Sequence, residues 1–224
     1  MEEVERAGLR VKSGTVDRES RWGFSDLGVD LAKIRLEIAL APGGAPLSRL
    51  LPPGALAVVN GGYFEANFAP STWLRYDGRD LGAKSDTSKG GLLAVAPEGD
   101  VYVGPFADLR FEPALALQSF PLIVEADGRP GIRSDDGRRA ARSVVCWVGR
   151  ELHFIVIAAP RGDGPTLFES MELLRQPWPR GFGCRAALNL DGGPSSGVWF
   201  APDVGARQRA PSAPVAYGVA LLPR

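Results

Sequence analysis

The sequence predicts an α+β fold, a single domain built on a strand-rich mixed sheet with few helices. Three observations predict it. The 28 glycines and 19 prolines are spread along all 224 residues and punctuate short apolar runs of strand length. Only one interior segment has helical character. No internal repeat or linker marks a second domain, and a chain this long can bury roughly 70% of its unfolded surface in one core.

Residues 1–28, polar over about the first twenty, read as an N-terminal arm or edge segment, and the domain proper runs over 29–224. Lys33 to Leu40 alternates as a strand, which Pro42-Gly43-Gly44 should end. Ala55 to Val59 is a short buried strand that stops at Asn60-Gly61-Gly62. Gly91 to Ala96 and Val101 to Val103 flank Pro97-Glu98-Gly99-Asp100 and form a hairpin. Ser143 to Val148 and Leu152 to Ala158, around Gly149-Arg150-Glu151, form a second. Thr166 caps the one helix with Glu169 in capping-box register, and Leu167, Met171 and Leu174 make its apolar face. Pro177 stops it. Ala186 to Leu190 and Tyr217 to Leu222 return to strand.

Composition narrows the function classes. Lys+Arg 26 balances Asp+Glu 26, so no field is expected that would draw nucleic acid or an acidic membrane. No apolar run approaches the roughly 20 residues that span a bilayer. Cys146 and Cys184 lack CxxC spacing and read as two reduced, buried thiols, the alternative being a bridge if the fold brings their strands together. The first residues, Met1-Glu2-Glu3-Val4-Glu5, lack the basic start and apolar stretch of a secretory leader. The expected localisation is secreted or periplasmic with the leader absent from this chain, the alternative being cytoplasmic.

Polar groups gather where buried strands give way to glycine turns. The islands are Asn60-Gly61-Gly62-Tyr63-Phe64, Arg142 at the start of the second hairpin, and Asn189-Leu190-Asp191-Gly192-Gly193-Pro194-Ser195-Ser196. A strand fixes such side chains while the loop leaves them accessible. Glycine lets a ligand approach the backbone and can turn N–H groups toward an anion. Either double-glycine turn alone reads as a tight turn; two, each after an apolar strand and a polar residue, read as a site.

The order NGGYF, QSFPLIVEADG, ARSVVCWVGRELHFIVI, TLFESMELL and AALNLDGGPSS, from about Val29 to Phe200, resembles the phosphodiester glycosidase family. The chain departs from that pattern twice: Pro194 replaces a third glycine, and Arg142-Ser143-Val144-Val145 replaces Arg-Thr followed by a small residue and glycine. The resemblance implies cleavage of a glycosidic bond to a phosphate leaving group, on a small-molecule or glycan sugar phosphodiester such as a cell-envelope glycan or exopolysaccharide. Such a leaving group needs positive charge and hydrogen-bond donors more than a proton. Arg142 is the expected phosphate donor, helped by Gly192, Gly193, Ser195 and Ser196. The sugar side needs a carboxylate against an oxocarbenium-like transition state, with Asp191 the first candidate and Glu65 the second. Asn60, Gly61, Gly62 and Asn189 complete the expected substrate-binding set. No cofactor and no metal are expected. The alternative is a non-catalytic carbohydrate- or phosphate-binding module, which Pro194 keeps open.

Several features read as decoys. Gly193-Pro194-Ser195-Ser196-Gly197 matches the G-x-S-x-G nucleophile elbow, which requires a following helix and a later histidine. Val198-Trp199-Phe200-Ala201-Pro202 is not helical, and the one histidine, His153, lies upstream. His153 itself reads as a structural strand residue. Asp86, Asp135, Asp136 and Asp163 lack EF-hand spacing. Trp73 reads as a sugar platform or a buried strand residue, and Arg138-Arg139 beside Asp135-Asp136 as a self-neutralising loop.

Overall fold

The short apolar runs become strands because alternate residues find cover on opposite faces. The computed structural model describes residues 1–16, 21–85, 90–159 and 163–224. Its strands, in chain order, begin with β1 (Glu2–Arg6), β2 (Leu9–Val16), β3 (Trp22–Val29), β4 (Ile34–Ala45) and β5 (Ala57–Asn60). There follow β6 (Leu74–Tyr76), β7 (Arg79–Leu81), β8 (Gly91–Val95), β9 (Val101–Gly104), β10 (Leu115–Ser119) and β11 (Leu122–Val124). The chain ends with β12 (Arg142–Val148), β13 (Glu151–Ala158), helix α1 (Leu167–Arg175), β14 (Ala186–Asn189), β15 (Val198–Phe200) and β16 (Val215–Pro223). The strand-rich α+β class is therefore observed.

The described strands divide among three sheets: β1-β2-β3-β13-β12-β14-β11, β7-β6-β10-β8-β9 and β15-β5-β16-β4. Neighbours within each pair antiparallel. All three sheets feed one apolar core, with Val145, Phe154 and Leu188 from the first, Leu93 and Leu117 from the second, and Val59, Val219 and Phe200 from the third. The intervening residues Val144, Cys146, Ile155 and Ile157 face the other way and pack with Met171 and Leu174 of α1. The long sheet is thus covered on both faces, which is why β12 and β13 read as continuous apolar runs.

The described residues of 1–28 contribute to this sheet. β1 is its edge strand, β2 pairs with β3, and Leu9, Val11, Phe24 and Leu27 are buried. Pro42-Gly43-Gly44, expected to end a strand, lies inside β4. Its pairing with β16 shifts register between Val215 and Tyr217, and Gly43 and Gly44 take the positive φ values, +82° and +79°, that such a bulge requires. The hairpin of β8 and β9 forms as expected, with Gly99 at φ +101°.

The capping box on α1 is complete: the Glu169 N–H donates to the Thr166 hydroxyl at 3.1 Å, and the Thr166 N–H donates to Glu169 Oε2 at 2.9 Å. Arg139 grips the same carboxylate through two bonds of 2.8 and 2.9 Å. Arg139 is therefore paired mainly outside the loop, while Arg138 stays within it, 3.9 Å from Asp136, so the self-neutralising reading holds for Arg138 alone. Asp135 and Asp136 also accept the N–H groups of Gly137 and Arg138, two residues on, in local turns. The Arg139–Glu169 pair fixes the loop that enters β12.

The thiol reading is overturned. Cys146 and Cys184 form a disulfide with Cα atoms 5.6 Å apart. Cys146 on β12 pairs with Ala187 on β14, and Cys184 lies two residues before that strand, so strand pairing itself juxtaposes the thiols. Closing a span of 38 residues corresponds to about 4 kcal/mol in the chain-entropy picture. Denaturant titration with and without reductant should show a loss of about 2–4 kcal/mol. An unchanged midpoint once both thiols titrate as free would contradict this.

Candidate active site

β12 and β14 run antiparallel, with Val144 opposite Asn189, so the start of one strand lies beside the end of the other. That register brings Arg142 next to the Asp191-Gly192-Gly193 turn. The Leu190 N–H donates to the Ser143 carbonyl at 2.8 Å, and the Gly193 N–H to the Ala141 carbonyl at 2.8 Å. The third island arrives from β5, where the Asp191 N–H donates to the Gly61 carbonyl at 3.1 Å. Asn60, Arg142 and Asp191 are therefore brought together.

Asn60 is the pin that holds two of these turns. It is fully buried; its Nδ2 donates to the Asp191 carbonyl at 2.8 Å and the Gly61 carbonyl at 3.1 Å, and its Oδ1 accepts the Gly197 N–H at 3.0 Å. Both ends of the amide are engaged by backbone, so Asn60 positions Asp191 from beneath. Gly61 and Gly62 make room for Tyr217: a Cβ on Gly61 would overlap its ring, and one on Gly62 would sit 2.9 Å from its hydroxyl. The Tyr217 hydroxyl is held by the Gly62 backbone, and burial pushes its pKa upward.

The Asp191 carboxylate is half-buried. Its Oδ1 accepts the Gly192 N–H at 2.9 Å, and the Ser195 hydroxyl also bonds it. Burial nevertheless raises its pKa above the ordinary carboxylate range, the two hydrogen bonds opposing the shift. Arg142, 7% exposed, donates from Nε to the Pro165 carbonyl at 3.1 Å and from Nη2 to the Arg138 carbonyl at 2.9 Å. Among the described residues Nη1 has no such partner, and a Cβ on Gly192 would lie 3.9 Å from it. Burial lowers the guanidinium pKa, while Tyr63 and then Asp136 pull it back up.

The expected backbone cradle is not formed. The Gly192 N–H is taken by Asp191, the Gly193 N–H by Ala141, the Ser195 N–H by the Gly192 carbonyl and the Ser196 N–H by the Gly193 carbonyl. Pro194 contributes no N–H, and its carbonyl accepts from Ser212 and Ala213. The turn has folded onto its own donors. Among the described residues, unengaged buried capacity lies instead on side chains: the Oδ1 of Asn189 and the hydroxyls of Ser119 and Ser196, beside Arg142, whose hydrogen bonds leave from Nε and Nη2.

Asn189 Nδ2 contacts the Tyr63 hydroxyl at 2.8 Å, the Phe120 carbonyl at 3.1 Å and the Leu190 carbonyl at 2.7 Å. Tyr63 stacks on Phe120 at 4.5 Å between ring centres, and 41% of Phe120 is exposed. Burial, then the Asp191 charge, raises the Tyr63 pKa, and Arg142 opposes both. Sequence reasoning passed over Tyr63, Phe120 and Tyr217. The signal for Tyr63 was its place directly after the glycine pair; Tyr217 opens a run that reads as strand, and Phe120 carries no local signal beyond its motif. Glu65 lies outside this constellation, exposed in a turn where its carbonyl accepts the Phe68 N–H, and among the described residues its carboxylate has no hydrogen bond.

The decoys resolve structurally. β15, not a helix, follows Ser195-Ser196, so the helix that a nucleophile elbow requires is missing there. His153 Nδ1 pairs with Asp26 at 2.7 Å, and buried Trp73 donates to Asp80 at 2.8 Å. Asp86 lies outside the described residues. Among the described residues, no group of three or more His, Cys, Asp or Glu side chains is arranged to hold a metal ion.

A sequence-family model described as phosphodiester glycosidase matches residues 53–222. No curated protein sequence matches the chain. The fold is similar to that of a hypothetical protein from Synechocystis, with 15% identity and a TM-score of 0.67 over 97% of this chain and 62% of that one. This chain therefore spans less than two thirds of that protein's length. The fold is also similar to the zebrafish N-acetylglucosamine-1-phosphodiester alpha-N-acetylglucosaminidase catalytic domain auto-inhibited by pro-peptide. There the identity is 15% and the TM-score 0.66, over 96% of this chain and 82% of that one.

Proposed function

The chain belongs to the phosphodiester glycosidase family, and from that premise we propose that it hydrolyses the bond between an anomeric carbon and a phosphate diester. Water adds to the anomeric carbon, the carbon–oxygen bond to phosphorus breaks, and a reducing sugar and a phosphate monoester leave. The observation that carries this reading is Arg142. Two carbonyls hold its guanidinium rigidly in a largely buried setting, and Nη1 stays open beside the Asp191 turn. A fixed cation in a desolvated site stabilises the charge that gathers on a departing phosphate without reorganising during the reaction.

Asp191 faces the sugar, where its charge supports the oxocarbenium-like transition state. Gly192 and Ser195 orient that carboxylate. The Tyr63–Phe120 pair offers the sugar an apolar ring face, and Asn189, Ser119 and Ser196 supply the unengaged polar atoms that a polyhydroxylated ligand would meet. The substrate is a glycan sugar phosphodiester of the cell envelope or an exopolysaccharide, and the protein is secreted or periplasmic. The disulfide supports that location, because such bonds persist in oxidising compartments.

A second reading, a binding module without turnover, is favoured by one observation: the glycine turn donates no free N–H to an anion. A panel of glycosyl phosphodiesters separates the two. Release of reducing sugar from any member is the expected result. Saturable binding across the panel with no sugar released would leave the module reading in place.

A further inference from the structure

We propose that a cavity between β2, β3, β13 and the Arg207–Arg209 segment binds a tetrahedral oxyanion carried on a sugar, a phosphate or sulfate ester, apart from the Arg142–Asp191 site. The cavity has a volume of about 440 Å³, and Ser13, Thr15, Ser25, Ala158, Arg207 and Arg209 line it. That is more room than a bare ion fills and within the roughly 300–1,000 Å³ of small-molecule pockets.

The segment is built in place. The Arg209 N–H donates to the Val198 carbonyl at 3.0 Å, and its carbonyl accepts from Val198 at 2.8 Å. Gln208 exchanges two hydrogen bonds with the Phe200 backbone, of 2.6 and 2.9 Å. The Arg209 guanidinium lies over Gly23 on β3, where a Cβ would come 3.2 Å from Nη2. A side chain at Gly23 would crowd the cation, which would have to shift by a few tenths of an ångström.

The charge placed there is uncompensated. Among the described residues, neither the Arg207 nor the Arg209 side chain has a hydrogen bond or ion pair, and the Arg209 Nε is buried without an acceptor. Burial lowers the Arg209 pKa, and the neighbouring Arg207 charge lowers it further. Two close guanidinium groups, one largely desolvated, disfavour the empty site, and an oxyanion relieves both penalties through a fork of N–H donors. Hydroxyls of Ser13, Thr15 and Ser25 add neutral donors that suit ester oxygens. Glu2 and Arg21 also border the cavity. Glu2 is exposed, so its carboxylate remains solvated and opposes an anion only weakly.

Strand register locates the cavity relative to Arg142. Arg142 pairs with Ile157 on β13, and the next residue, Ala158, pairs with Gly23 on β3, so the two backbone positions lie at the same end of their strands about 10 Å apart, two strand spacings, on alternate faces of the sheet.

The test titrates the full chain with inorganic phosphate and with glucose 6-phosphate, following the backbone amide resonances of Gly23, Ser25, Ala158 and Gln208. Saturable shifts at these amides are expected from both probes, the sugar ester binding at least about threefold more tightly. The shifts should vanish in Arg209→Gln and persist in Arg142→Gln. Arg209→Gln should also keep or raise the melting temperature in anion-free buffer, because it removes an unpaired cation. The proposal is overturned by unmoved amides, by shifts that survive Arg209→Gln, or by tighter binding of bare phosphate than of the sugar ester. A lower melting temperature for Arg209→Gln without anion would overturn it too, by revealing a structural partner for the arginine. Turnover plays no part in the readout, so a failure here is distinct from a failure of the hydrolytic reading.

Discussion

Asp191→Asn should lower turnover of a glycosyl phosphodiester by about 10² or more while leaving the melting temperature unchanged or raised. The first half follows from the charge: an amide keeps the size of the carboxylate but offers no negative charge to an oxocarbenium-like transition state, and single electrostatic groups in such sites contribute about 10²–10³ in rate. The second half follows from the direction of the pKa shift. Burial raises the Asp191 pKa in the folded protein. A group shifted upward stabilises the fold below its unfolded pKa, and that contribution is lost as pH rises through the folded pKa. At neutral pH the ionised carboxylate is therefore held against its preference, and the neutral amide relieves that. Asn Oδ1 can still accept from Gly192, although the bond from Ser195 weakens. The same shift places the acidic limb of the wild-type pH–rate profile above the ordinary carboxylate range, since the proton is retained to higher pH. Unimpaired turnover in Asp191→Asn would remove the catalytic assignment. A fall in melting temperature with turnover per folded molecule intact would make Asp191 a support for the turn.

Much of this architecture was legible wherever a local rule and its tertiary setting agree. The capping box of Thr166 and Glu169 stands at the start of α1, and the Gly99 turn joins β8 to β9. β1 and β2 were less legible because Glu2–Arg6 and Leu9–Val16 alternate with many polar residues, and pairing at a sheet edge needs few apolar ones. Pro42-Gly43-Gly44 looked like a stop because the residues of a turn and of a bulge are the same; only the partner strand β16 decides. The disulfide required knowing that β12 and β14 are neighbours, a fact of topology that sits 38 residues apart in the sequence. At the site, the islands marked the right place, but a glycine pair does not say where its N–H groups point. Gly192 and Gly193 turn theirs inward, and Gly61 and Gly62 yield space to a tyrosine more than 150 residues away. Tyr63 could have been found, since an aromatic with a polar tip directly after a glycine turn is placed to face the same opening.

Arg142→Lys should reduce kcat by about 10²–10³, with a smaller rise in KM. The substitution keeps a positive charge, so a site that needed only charge would tolerate it. Arg142 does more than carry charge. Its Nε and Nη2 are bonded to the carbonyls of Pro165 and Arg138, and this tether aims Nη1 at the Asp191 turn. A lysine ammonium has three donors on one nitrogen at the end of a flexible stem, so it cannot hold both carbonyls and still present a planar pair to phosphate. If it bonds the carbonyls, the phosphate loses its partner; if it reaches the phosphate, both carbonyls lose theirs, and the buried one of Pro165 costs about 1–3 kcal/mol. Either way, the charge gathering on the leaving group meets a less fixed cation. Burial adds a second consequence. It already lowers the pKa of the arginine, which stays protonated because its ordinary value is so high. A lysine in the same desolvated place starts lower and loses its proton as pH rises, so the remaining activity of Arg142→Lys should fall on the alkaline side where the wild type holds steady. Stopped or continuous assays of sugar release from pH 6 to about 10 would read both effects on one preparation. A kcat within about threefold of wild type, with parallel pH profiles, would show that the tethered guanidinium is dispensable and that the phosphate is stabilised by some other group.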